Sequence, residues 1–114
     1  MKYLTILLLM GFLLVSCSSP VDSFEGEIWD VKSNAVLVDC SSTVNRDAEG
    51  DIPSVAYLCT VEVTEDTVIA DVNNKLINSK GLKEGQIVQI ILDEEKDIST
   101  KNRDVSAAEI IILN

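Results

Sequence analysis

Two cysteines sit inside runs of alternating apolar residues, and that combination restricts the fold more than any other feature of the chain. Val36, Val38 and Cys40 occupy every second position of one run, and Tyr57, Cys59, Val61 and Val63 do so in another. A period of two is the signature of a strand that buries one face. If the runs pair antiparallel with Cys40 opposite Cys59, Val38 meets Val61 and Val36 meets Val63. All six residues then point the same way, as a core requires. A bond between the two sulfurs would close the intervening loop and contribute about 3 kcal/mol by restricting the unfolded chain. Two buried free thiols are the alternative.

The third cysteine stands in a different context. Met1 and Lys2 open an apolar run over residues 4–15, which ends in Leu14-Val15-Ser16-Cys17. One basic residue, an apolar stretch and small residues before a cysteine make a secretory signal. The run is shorter than the roughly 18 to 20 residues that span a bilayer. Leu14-Val15-Ser16-Cys17 resembles the lipobox of bacterial lipoproteins. The resemblance implies cleavage before Cys17 and acylation of its sulfur, which makes it the first residue of the mature chain. Durable anchoring takes more than one acyl chain, and the chemistry of that family supplies them. The expected organisation is a signal peptide over residues 1–16, a lipidated Cys17 with a polar tether through residue 23, and a folded domain over 24–114. An uncleaved anchor and an ordinary secretory cleavage elsewhere are the alternatives. A chain held by lipid to the outer side of a bacterial cell membrane works where disulfides form and persist, so a Cys40–Cys59 bond is the expected state.

Cleavage before Cys17 removes 16 residues from 114 and leaves 98, enough for one domain with a modest core. It also removes Lys2, leaving 8 basic residues against 19 acidic ones and a net charge near −11. Affinity for nucleic acid comes largely from neutralising phosphates with Lys and Arg, so nucleic acid is not expected as a partner. The chain contains no histidine. Cys/His zinc sites and Ser-His-Asp or Cys-His arrangements are therefore absent. Pairs of carboxylates occur by chance among 19 acids, and none is singled out by its surroundings. Neither an enzyme nor a cofactor is expected.

Along the chain, residues 24–31 alternate, with Phe24, Gly26 and Ile28 on one face and Glu25, Glu27 and Trp29 on the other. This predicts a first strand. A turn at Lys32-Ser33-Asn34 leads to a second strand over 35–40. The polar segment 41–54, with Gly50 and Pro53, reads as a long, mobile connection. A third strand spans 55–63, and 64–70 continues it. Asp71 is placed to cap a short helix over 72–79, with Gly81 ending it. Leu82-Lys83-Glu84-Gly85 is a turn into a fourth strand over 86–92, with Val88, Ile90 and Leu92 together. Residues 93–104 are charged and loop-like. The fifth strand spans 105–113, with Ala108, Ile110 and Ile112 facing together.

Three strands, a short helix and two strands follow the order of the OB-fold. The expected class is all-β with one short helix, a five-stranded OB-like β-barrel after a cleaved signal peptide. The chain also resembles the YobA-like group, small OB-like bacterial lipoproteins and secreted proteins of unknown function. The resemblance is carried by Phe24-Glu25-Gly26-Glu27-Ile28, Val61-Glu62-Val63-Thr64, Thr67-Val68-Ile69, Leu82-Lys83-Glu84-Gly85-Gln86-Ile87-Val88 and Ala107-Ala108-Glu109-Ile110. It implies a fold and an extracytoplasmic address, and no reaction.

OB-folds bind along strands two and three and the loops beside them. Here that surface would draw on Trp29, Leu37, Asp39, Leu58, Thr60, Glu62 and the loop 93–103. Trp29, the sole tryptophan, has two roles open: an exposed platform for a sugar or protein, or a cover over the open end of the barrel. Asp47, Glu49 and Asp51 offer hard oxygen ligands for calcium but depart from the EF-hand pattern, so solvated loop acids are the plainer expectation. The expected function is a lipid-anchored extracytoplasmic binding module for a surface protein or envelope polymer. The alternative is a structural or accessory subunit of a membrane-surface complex with no ligand of its own.

Overall fold

A computed structural model describes residues 20–46 and 55–114. The leader at 1–16, the lipidation site Cys17 and the loop acids Asp47, Glu49 and Asp51 lie outside the described residues. Among the described residues there are six strands: β1 (Val21–Val31), β2 (Ala35–Asp39), β3 (Leu58–Glu62), β4 (Val68–Asp71), β5 (Ile87–Lys96) and β6 (Asp104–Ile112). A short helix, α1 (Ser41–Val44), follows β2, and a 3-10 turn spans Ser79–Gly81.

Five strands close a barrel in the order β3-β2-β1-β5-β6, with β6 returning to β3 in parallel. This is the OB-like all-β architecture expected from the alternation. The expected first strand is extended at its start: Val21, Asp22 and Ser23 belong to β1, and Val21 pairs with Lys96. Closure requires β1 to serve two partners. It lies against β5 from Val21 to Glu27 and against β2 from Ile28 to Val31. Gly26 sits where it changes partner, and a Cβ there would collide with the Asp39 carbonyl oxygen and crowd Val38 Cγ1 at 2.9 Å. Only glycine admits so close a backbone approach at a barrel corner. Inside, Ile28, Val38, Val61, Val88, Ile90 and Ile110 are each 1% exposed or less. Among the described residues the buried core lies between Phe24 and Ile112. The stretch 20–114 thus contains a closed sheet, that core and the disulfide, which is what independent folding requires.

The Cys40–Cys59 disulfide is formed, with Cα atoms 5.7 Å apart. Its register differs from the expected one. Val38 lies opposite Cys59 and Val36 opposite Val61, two residues away from the pairing in which the cysteines face each other. The ladder ends at Asp39↔Leu58, and the Cys40 amide donates to the Tyr57 carbonyl at 2.9 Å. The bond therefore joins diagonal neighbours. Alternation fixes which face a side chain takes, and an offset of two leaves that unchanged.

The helix expected over 72–79 does not form. Asp71 Oδ1 instead accepts from the backbone amides of Asn73 (2.8 Å) and Lys75 (3.0 Å), and Asn74 takes a φ of 66°. The chain then folds back along β4, with the Ile77 amide donating to the Ile69 carbonyl at 2.8 Å. Asp and Asn side chains that bond nearby backbone offer a turn in place of a helix. Helix appears instead at α1, inside the connection expected to be irregular, where Asp39 Oδ1 accepts from the Ser41 amide at 2.9 Å. Residues 64–70 do not simply prolong β3. After a turn at Thr64–Thr67, β4 takes the edge of β6 beyond the part paired with β3, and Thr67 Oγ1 donates to the Ala107 carbonyl at 2.8 Å between them.

One face assignment in the last strand also changes. Ile110 and Ile112 point inward, but Ala107 does so in place of Ala108, which is exposed. Ile91 pairs with Glu109 and Leu92 with Ala107, so Ala108 is an extra residue in the ladder. A bulge of this kind shifts the alternation by one from that point.

Candidate functional site

Two cross-strand pairs on the outer face of β2 and β3, Leu37↔Thr60 and Asp39↔Leu58, bound the candidate site. Their partners across the ladder period, Val38 and Cys59, fill the core, so period-two geometry turns these four outward. The β5–β6 connection stands beside this face. Together they enclose a groove of about 290 Å³ lined by Leu37, Leu58, Thr60, Lys101, Arg103 and Asp104, with Thr100 at its edge.

The connection is ordered, although its charge suggested a loose loop. Ile98 is buried in the core. Ser99 and Asn102 exchange two backbone hydrogen bonds, each 3.1 Å, and the Asn102 side-chain amide donates to the Asp97 carbonyl at 3.0 Å. Arg46, just after α1, reaches across it. Its Nη1 donates to the carbonyls of Thr43 (2.6 Å) and Ile98 (2.7 Å), and its Nη2 lies 2.8 Å from Asp97 Oδ1. The disulfide holds α1 to β3, and Arg46 holds α1 to the connection, so both walls of the groove are braced.

Arg103 is the most constrained cation in the groove. Nε donates to the Thr100 carbonyl and Nη1 to the Leu58 carbonyl, both at 3.1 Å, while the guanidinium carbon lies 5.4 Å from the centre of the Tyr57 ring. The Arg103 carbonyl in turn accepts from the Thr60 amide at 2.9 Å. All of these partners are neutral, so the positive charge is positioned without being cancelled by an ion pair among the described residues.

The structure gathers some expected site residues and separates others. Leu37, Leu58 and Thr60 line the groove together with the end of the 93–103 loop. Asp39 is engaged locally, accepting from Ser41 Oγ at 2.6 Å while that hydroxyl accepts from the Tyr57 amide at 2.8 Å. Glu62 lines a separate shallow hollow with Lys96 and Ser106. Trp29 lies on neither surface. It is the unpaired residue of a β1 bulge, between Ile28↔Val38 and Asp30↔Leu37, and is 47% exposed rather than folded over a barrel end. Sequence patterning did not single out Arg46 or Arg103, because their partners lie 52 and 45 residues away.

Among the described residues no group of three or more Asp, Glu, Cys or His side chains is arranged to hold a metal ion. Comparison with known proteins finds no matching family model, no matching curated protein and no matching solved structure.

Proposed function

We propose that this chain is a lipid-anchored extracytoplasmic binding module, acting without chemistry, and that the β2–β3 groove is where it engages a surface protein or envelope polymer. The observation that carries this proposal is the groove itself: a braced concavity where Lys101 and Arg103 gather, in a chain with 19 acids and 9 bases. A site needs side chains held in one geometry by a second layer of contacts. Arg46, the disulfide and the Tyr57 ring supply that layer. Anchoring rests on the leader and its lipobox-like end, which would confine the module to the membrane surface by acyl chains on Cys17.

Site-directed photocrosslinking in intact cells tests the assignment. A crosslinking residue at Thr60 should capture a defined partner, and one at exposed Val72 should not. Equal labelling from both positions would remove the groove from consideration. Mass spectrometry of the mature protein should show an acylated Cys17 as its first residue.

A further inference from the structure

A second concavity lies at the other end of β2, where the β1–β2 turn faces the 3-10 turn. It measures about 340 Å³. Its floor is apolar: Val31, Ala35, Val36, Val63 and Leu82, of which Ala35, Val36 and Leu82 are buried. Its rim is Lys32 and Ser33 on one side and Ser79 and Lys80 on the other. Among the described residues no carboxylate lines it, in a chain where acids outnumber bases about two to one. Lys32 shares its charge with Asp30 at 3.5 Å in an exposed pair. Lys80 makes no ion pair among the described residues.

The local fold explains the opening. The segment after β4 spends its length on the Asp71 turn and the return along β4, and only a single 3-10 turn precedes β5. Asn78 Oδ1 caps that turn by accepting from the Lys80 amide at 2.9 Å, which sets Lys80 at the mouth of the pocket.

We infer that this pocket binds a small amphiphile with a medium-length acyl body and a single carboxylate, the body on the Val31–Val63–Leu82 floor and the carboxylate between Lys32 and Lys80. The size lies near the lower limit of small-molecule sites, roughly 300 to 1,000 Å³, which suits a single medium-length chain and not a polymer. An apolar floor with a few convergent polar groups at one side is what such a ligand requires. The site is separate from the groove on β2 and β3 and stands or falls independently of it.

Decanoate is the probe. Methyl NMR of the segment 20–114 should show saturable shifts confined to Val31, Val36, Val63 and Leu82. Butyrate, with the same head and a shorter body, should bind at least about ten-fold more weakly. Lys80→Gln should weaken decanoate about five-fold, as loss of a part-exposed ion pair does. Ala35→Leu should fill the floor and abolish the shifts. Should that variant fail to fold, the double substitution Lys32→Gln, Lys80→Gln provides the same test through exposed residues. Shifts scattered over the barrel, or octyl glucoside binding as well as decanoate, would overturn the inference. So would decanoate affinity left unchanged by the lysine substitutions.

Discussion

The β2–β3 groove and the pocket beside the 3-10 turn are built on opposite terms. The groove at the C-terminal end of β2 is polar and held by long-range ties: a disulfide, the Arg46 bonds to Ile98 and Asp97, and Arg103 across to Leu58. The pocket at the N-terminal end of β2 is apolar and held by short-range turns at Lys32-Ser33-Asn34 and Ser79–Gly81. One end of the molecule draws rigidity from contacts between distant segments. The other frames its mouth with two local turns, ties its floor with the Val63 amide bonded to the Asn34 carbonyl at 2.9 Å, and leaves its rim lysines exposed. Rigid walls suit a partner of fixed shape, and an exposed basic rim over an apolar floor suits a small amphiphile.

This contrast can be broken experimentally, beginning with the strongest tie. Replacing Cys40 and Cys59 by Ala should lower the global stability read by urea denaturation by about 3 kcal/mol, because the unfolded chain is no longer restricted. Arg46→Ala should cost about 2 kcal/mol, because it removes charge-assisted bonds to carbonyls from a side chain only 18% exposed. Hydrogen exchange should then quicken at 97–103 while Leu82 stays protected. At the pocket end, Asn78→Ala should cost about 1 kcal/mol, the worth of a side-chain cap. Lys80→Gln should leave the denaturation midpoint within about 0.5 kcal/mol of the parent, as expected for an exposed side chain without an ion pair. A pocket-end substitution more costly than Arg46→Ala would overturn the ranking.

The parts of this fold legible in the sequence are those set by local periodicity. Val36, Val38, Cys59 and Val61 face inward as their alternation demands, and the cysteines they flank are bonded. Face is a property of each strand alone. Offset between strands is not, and the β2–β3 register lies two residues from the simplest pairing, with Val38 opposite Cys59 and the Cys40 amide bonded to the Tyr57 carbonyl. Ala107 replaces Ala108 in the core for a similar reason, since a bulge is a relation between β5 and β6. The turn at Asp71 has a local signal in Asp71, Asn73 and Asn74, which supported a capped helix and an Asx turn alike. Of the expected ligand surface, Leu37 and Thr60 are together because they share a strand face. Trp29 is set apart by a bulge, while Glu62, on the same face as Thr60, lines the neighbouring hollow with Lys96 and Ser106.

By itself, then, the amino-acid sequence determined the number of barrel strands, their inward faces away from the bulges and the identity of the bonded cysteines, because apolar alternation and cysteine count act within a few residues. Tertiary structure alone decided the register, the bulges at Trp29 and Ala108, and the arginine ties that make the groove. Each depends on contacts between segments tens of residues apart, whose free energy exists only once the barrel has closed.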